Sequence, residues 1–222
     1  MNTTEADIKN GKRIHTQYKD ADGKKVPGVT TVLSILAKPA LIKWAYGLGV
    51  KGIDMDGYRD ALADVGTLAH RMILDHLRGD KTDTANYPKD QVDLAENCFL
   101  KYLEWEKAHK VEPILIEEPL VSATHGYGGT PDFYGRIDGV FTLMDFKTGK
   151  AIYDDFWYQI GGYDLLLAER VHPEEWPTSL RILNIGRSED EKFVEETRSS
   201  VAHEAQIFLH ALAIYKLKRN GK

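Results

Sequence analysis

Apolar residues recur along this chain with two different periods. Over residues 60–78, Leu62, Val65, Ala69, Ile73 and Leu77 lie three or four positions apart, which gathers them on one face of a helix. Gly66 lies inside that helix and weakens it by ~1 kcal/mol relative to alanine, and Gly79-Asp80 ends it. The polar stretch up to Lys89, with Pro88, reads as a loop. Residues 90–110 read as the next helix, carrying Val92, Leu94, Phe99, Tyr102, Leu103 and Trp105. Nearer the start, residues 13–18 read as a short strand and 19–25 as a polar turn. Thr30 and Thr31 stand where they can cap a helix carrying Val32, Leu33, Ile35 and Leu36. Pro39 interrupts it. A second apolar stretch with Leu41, Ile42, Trp44 and Ala45 ends in Gly47, Gly49 and Gly52.

The period then shortens. Residues 112–121, 129–137 and 139–147 read as three strands separated by glycine-rich turns. Residues 156–170 read as a helix capped by Asp154 or Asp155, 180–186 and 192–197 as a hairpin, and 201–218 as a closing helix. This order predicts an α/β fold: a mixed sheet flanked by helices, with a helical N-terminal portion. It is expected to be a single domain over residues 1–222, mainly helical over 1–110, a sheet core over 111–200 and a C-terminal helix over 201–222.

Composition narrows the picture. The chain has 222 residues, 42% of them apolar, enough for a real core and far from the composition of a disordered chain. With 29 basic and 34 acidic residues the formal net charge is −5, which argues against coating nucleic acid by bulk charge. Cys98 is the one cysteine, so no intramolecular disulfide and no four-cysteine zinc or iron–sulfur site can form. No apolar run has the ~18–20 residues of a membrane span, and the polar segment 1–12 lacks the apolar stretch of a secretory leader. The expectation is a soluble, intracellular, cytoplasmic protein with no membrane partner.

Candidate chemistry concentrates in Pro131-Asp132 and in Asp145-Phe146-Lys147. On a strand, Asp145 and Lys147 point one way, and Met144 and Phe146 the other. A hairpin turning near Asp138-Gly139 places Asp132 beside Asp145, so that two carboxylates and an ammonium meet. Adjacent carboxylates repel unless a proton or cation stands between them, and hard oxygen donors suit Mg²⁺ or Mn²⁺. A metal there can activate water and neutralise a phosphodiester, with the lysine orienting that water or stabilising developing charge. By itself, an Asp-x-Lys triplet is more often a surface ion pair on a strand.

The surrounding motifs make the pattern specific. The segment 118–163 resembles the core of the PD-(D/E)XK nucleases, and more closely their RecB-type branch, which includes stand-alone phage exonucleases and the mitochondrial genome maintenance exonuclease. Gly66-Thr67-Leu68-Ala69-His70 matches that branch's G-T-x-x-H motif. Glu118, with Glu117 as its neighbour, matches a first-strand glutamate, and Gln159 with Tyr163 matches Q-x-x-x-Y. The run 27–33 is similar to a P-S-V-T-x-V-L opening, with Gly28 in place of serine.

The resemblance implies a restriction-endonuclease-like fold and a metal-dependent DNA exonuclease acting in recombination, repair or phage DNA processing. It implies His70, Asp132, Asp145 and the backbone carbonyl of Phe146 as ligands of Mg²⁺ or Mn²⁺, with Lys147 and Glu118 completing the catalytic set. Gln159, Tyr163, Thr148, Thr30 and Thr31 would position DNA, single- or double-stranded, near its ends. The iron–sulfur cluster of some branch members cannot be built around Cys98 alone.

Each of these residues also has a plainer reading. His70 can be an ordinary polar helix residue, Glu118 an edge-strand charge, and Thr30 and Thr31 simple caps. Trp44, Tyr46 and Tyr58 can stack bases of a single strand or pack the helical region, and Lys38, Lys43 and Lys51 can form a basic track. The other functional classes are an endonuclease on the same core, a non-catalytic nucleic-acid-binding module, and a carboxylate-based glycoside hydrolase. The last leaves the lysine and the G-T-x-x-H motif without a role.

Overall fold

The computed structural model describes residues 16–220 and, before them, the paired strands β1 (Ile8–Lys9) and β2 (Lys12–Arg13). The strand expected over 13–18 lies partly outside the described residues. A hairpin of β3 (Tyr18–Lys19) and β4 (Lys25–Val26) comes next, its turn held by the Asp20 carboxylate accepting from the backbone of Asp22 and Lys24.

Helix α1 (Val29–Leu33) is short, and its cap position is Gly28, with no side-chain cap. The expectation that Thr30 and Thr31 cap it is corrected. The Val32 N–H already donates to the Gly28 carbonyl at 2.9 Å, so the first turn starts before the threonines. Helix α2 (Pro39–Val50) follows, with Pro39 in its first turn rather than breaking a longer helix. Helix α3 (Met55–Arg78) begins five residues before the periodic stretch, because the Asp54 side chain accepts from the N–H groups of Asp56 and Gly57. It ends at Gly79, whose φ of 78° is the left-handed cap that glycine adopts without strain. Helix α4 (Lys89–Glu106) packs on α3.

Two expected strands are broken. In place of one strand over 112–121 there are β5 (Val111–Ile116) and β6 (Leu120–Ser122). Glu117, with φ 51°, and the following Glu118-Pro119 turn the chain out of the ladder between them. In place of one strand over 129–137 there are β7 (Tyr127–Gly129) and β8 (Phe133–Ile137), parted by Thr130-Pro131-Asp132. Strands β6 and β7 pair with each other, apart from the main sheet. The break therefore frees Asp132 from the ladder at the point where β9 (Val140–Lys147) continues past it.

The remaining elements are α5 (Asp154–Ala168), a 3₁₀ turn at Pro173–Glu175, β10 (Ser179–Asn184), β11 (Val194–Arg198) and α6 (Ala202–Asn220). The cap position of α5 is Tyr153, without a side-chain cap bond; Asp154 and Asp155 lie in its first turn, where their charge favours the helix N-terminus. The five-stranded sheet runs β11-β10-β9-β8-β5, parallel between β9 and β10 and antiparallel elsewhere. This is the mixed α/β architecture of the restriction-endonuclease-like kind.

Central strand β9 is covered on both faces, as its alternation requires. Leu143 faces the cluster with α1, α5 and α6, through Val29, Ile160 and Phe208. Met144 and Phe146 face the cluster with α3 and α4, through Leu68, Ile73 and Tyr102. Each such buried side chain contributes about 1.5–3 kcal/mol relative to exposure. Helices α5 and α6 approach closely because α5 carries Gly161-Gly162 at the crossing.

Candidate active site

The hairpin β8–β9 turns at Asp138-Gly139, where both residues have positive φ (53° and 83°), as a two-residue turn of this hand demands. That turn sets the register, which runs from Ile137 opposite Val140 to Phe133 opposite Met144 at the open end of the pair. Asp132 lies one residue beyond the end of β8. Its carboxylate takes the place of a ladder partner, accepting from the Phe146 N–H at 2.8 Å. On a strand the carbonyl of a residue points to the same edge as its N–H, so the Phe146 carbonyl faces this side too, toward Asp132.

Helix α3 brings His70 to the cluster. Its Nδ1 stands 3.7 Å from Asp132 Oδ2, and its ring meets that of Phe146 edge-on, with centroids 6.1 Å apart. Close packing one turn earlier on α3 makes this possible. At Gly66 an added Cβ would stand 2.7 Å from Thr148 Oγ1, so the glycine of G-T-x-x-H lets α3 approach the end of β9. Thr67 donates to the Ala63 carbonyl and stays within its own helix.

Asp145 is 1% exposed and forms an ion pair with Lys147. Gln159 ties the pair together from α5. Its Oε1 accepts from Lys147 Nζ at 3.0 Å, and its Nε2 donates to Tyr163 Oη at 2.8 Å and toward Asp145 Oδ1 at 3.3 Å. The Gln159–Tyr163 spacing of one helical turn thus serves the acid–lysine pair directly. Thr148 sits at the strand exit. Thr30 lines the same open groove as His70 and Lys147, while Thr31 is exposed and outside that lining.

The electrostatics follow from burial. Burial lifts Asp132 and Asp145 each to about 6, and the Lys147 ammonium works against that rise in both. Burial, then the same ammonium, lowers His70 to about 4, so the imidazole is neutral at pH 7 with a lone pair to offer. Burial also raises the Tyr163 phenol well above its usual range, so it stays protonated.

Glu117 and Glu118 both line the groove, and the charge of Glu117 acts on His70 and Asp132. The Glu117 backbone N–H donates to the Asp132 carbonyl at 3.0 Å, and Arg78 holds its side chain at 3.1 Å. Glu118 is paired with Arg170 at 3.8 Å instead. The positive φ at Glu117 rotates the two side chains out of simple strand alternation.

Three positioning features were not read from the sequence. Tyr18 lies across Gly28 and Gly128, where an added Cβ would stand 2.8 and 2.3 Å from its ring, and its hydroxyl is 2.8 Å from Thr130 Oγ1. Gly28 therefore has no room for the serine of the related pattern. Gly129 makes similar room for the Tyr163 ring. Asn184 is fully buried and stands in register with Lys147 on the parallel neighbour β10. Its Nδ2 donates to the Gly149 carbonyl at 2.9 Å, holding the turn after Lys147-Thr148. An amide ending an otherwise apolar run, Leu-Arg-Ile-Leu-Asn, was the available signal.

Among the described residues, no three His, Cys, Asp or Glu side chains close into a ready-made metal cage. The donor chemistry nevertheless suits a hard divalent ion: two adjoining carboxylates, a neutral imidazole and a backbone carbonyl. No helix of the described residues is long and apolar enough to cross a membrane.

No family model matches the chain, and no curated protein does. Solved structures do. One is a protein of Eubacterium rectale described as a candidate exonuclease, 10% identical, with a TM-score of 0.49 over 69% of this chain and 65% of that one. The match thus spans just under two-thirds of the Eubacterium rectale chain. Another is an alkaline exonuclease of Laribacter hongkongensis, 14% identical, with a TM-score of 0.35 over 72% of this chain and 90% of that one.

Proposed function

We propose that this chain is a metal-dependent nuclease that hydrolyses phosphodiester bonds of DNA, working from ends as an exonuclease. The observation that carries the reading is the Asp132 carboxylate bound to the Phe146 N–H at the open end of β8–β9, between the ion-paired Asp145 and Lys147 of β9, with His70 beside it and His70 and Lys147 lining an open groove. The motif resemblance supports DNA as the substrate and ends as the starting point.

His70, Asp132, Asp145 and the Phe146 carbonyl would hold Mg²⁺ or Mn²⁺, which supplies charge neutralisation at the phosphate and an acidified water. Lys147 presents an ammonium beside the reacting phosphate and stabilises the negative charge that develops there. Gln159 keeps Lys147 and Asp145 at a set separation, and Tyr163 holds Gln159. Glu117 adds a carboxylate at the groove wall, restrained by Arg78.

The test uses end-labelled linear single-stranded, linear double-stranded and closed circular DNA, with EDTA, Mg²⁺ or Mn²⁺. Metal-dependent loss of linear DNA with circles spared is expected. Cutting of circles would move the reading to an endonuclease, and no cutting of any substrate would remove the catalytic reading.

A second expectation arises from the approach of α3 to β9. Gly66→Ala should leave stability unchanged or raise it by up to ~1 kcal/mol, since alanine is the better helix former. Its Cβ displaces Thr148, so cleavage should slow by about tenfold or more. Placed on top of Thr148→Ala, the same substitution should cost nothing further. A full additional loss in the double variant, measured as initial rates, would show that the close approach is not the cause.

A further inference from the structure

The four tryptophans of this chain divide into two kinds. Trp105, Trp157 and Trp176 each donate their indole N–H to a carboxylate, of Glu195, Glu196 and Asp164 respectively. Trp105 and Trp157 are buried anchors, a polar tip satisfied and an apolar ring packed, and Trp176 is tied by the same kind of bond although it is 43% exposed. Trp44 differs. Among the described residues its indole N–H has no hydrogen-bond partner, and its ring lines the groove that also holds His70 and Lys147.

Trp44 has an aromatic neighbour across the α2–α3 connection. Its ring and that of Tyr58 lie 6.2 Å apart, tilted by 39°, and Tyr58 is 43% exposed. The three aromatics of this region therefore separate in the fold: Trp44 lines the groove, Tyr58 backs its ring from outside the lining, and Tyr46 lies outside the lining and is 75% exposed. Residues 37–53 contain Lys38, Lys43 and Lys51 and no acidic residue, with Lys38 paired to Asp155. Arg59 lines the same wall, paired with Asp56 and Asp60.

A half-buried indole at a groove wall, its N–H free to donate and a second ring behind it, has the chemistry that receives unpaired nucleobases: a π surface for stacking and a donor for a base or phosphate oxygen. A base inside a duplex has its faces covered by its neighbours, so only an unpaired strand can use such a surface. We infer that Trp44, with Tyr58, is a base-stacking platform that draws single-stranded DNA into the groove and gives the protein a preference for unpaired ends. The inference rests on reading the groove as the path of a nucleic-acid strand.

The experiment measures binding of a fluorescein-labelled oligothymidylate, and of the same backbone with abasic residues, in EDTA so that no cleavage intervenes. The proteins are the wild type, Trp44→Ala, Trp44→Phe and, as a control away from the groove, Tyr46→Ala. Trp44→Ala should weaken oligothymidylate binding about 5- to 100-fold, from the usual worth of one stacked base. It should leave abasic binding nearly unchanged. Trp44→Phe should retain most of the discrimination, and Tyr46→Ala all of it. A Trp44→Ala protein that still prefers bases as strongly as the wild type overturns the inference, as does a wild type indifferent to base removal. Because binding is read without metal, the two readings separate: a protein that binds bases and cuts nothing keeps the platform and loses the nuclease, and one that cuts but ignores bases does the reverse.

Discussion

Asp145→Asn is expected to lower metal-dependent cleavage by about 10²–10³-fold or more while the protein stays folded. The magnitude is that of removing one preorganised charge from a transition-state site. The retained fold has a separate cause. Asp145 is 1% exposed, and burial already raises its pKa to about 6, so the interior penalises the carboxylate rather than an amide of the same shape. The substitution does strip Lys147 of its charge partner, which in a sealed core costs about 3–5 kcal/mol. Lys147 is not sealed in: its side chain is 17% exposed in the groove, and Gln159 Oε1 still accepts from it at 3.0 Å. A loss of about 1–2 kcal/mol or less is therefore expected. Cleavage of linear DNA and thermal unfolding, measured on one preparation, check both halves. Wild-type rates in the variant would remove Asp145 from the mechanism, and a collapse of the unfolding transition would assign it a structural role instead.

A large stability effect is expected at Gly161. A Cβ there would stand 2.6 Å from Ala205 N, 2.8 Å from Glu204 C and 2.9 Å from Ala205 Cα. These are backbone atoms at the start of α6, and they cannot swing aside as a side-chain end does. Gly161→Ala gains ~1 kcal/mol of helix propensity in α5 but must push two helices apart, an overpacking that costs typically about 1–3 kcal/mol and sometimes more. A net loss of up to about 2 kcal/mol, or up to roughly 4–8 °C in Tm for a chain of this size, is expected. Gly49→Ala in α2 is the internal comparison, since nothing lies within 4 Å of its Cβ position. It should raise Tm slightly. Equal shifts at the two sites, followed by circular dichroism, would show that the α5–α6 approach is looser than the structure has it.

Much of the candidate site was legible because it depends on short-range counting. The strand period puts Asp145 and Lys147 on one face. The turn at Asp138-Gly139 sets the register that brings Asp132 to Phe146 on β9. One helical turn brings Gln159 and Tyr163 together. The helices over 55–78 and 89–106 were visible in their apolar stripes, although the start of α3 was not, because it depends on the cap at Asp54 rather than on periodicity.

The parts that were not legible depend on chain segments distant in sequence. Within 112–121, Glu117-Glu118-Pro119 marks a weak point, but the break itself arises where β6 leaves the main sheet to pair with β7. The positive φ at Glu117 belongs to that break. Tyr18 reaches Thr130 only because the first hairpin folds back over Gly28 and Gly128. Asn184 meets the Lys147 turn only through the parallel pairing of β10 with β9.

The sequence alone thus determined the α/β class, the central hairpin and the acid–lysine pair through local periodicity and turn chemistry, and pointed to His70 through a motif resemblance. Only the tertiary structure decided that α3 carries His70 to that pair, which aromatic residue lines the groove and where glycines permit close approach. Those outcomes are set by close approach between elements far apart in the chain, and close packing leaves no periodic trace in sequence.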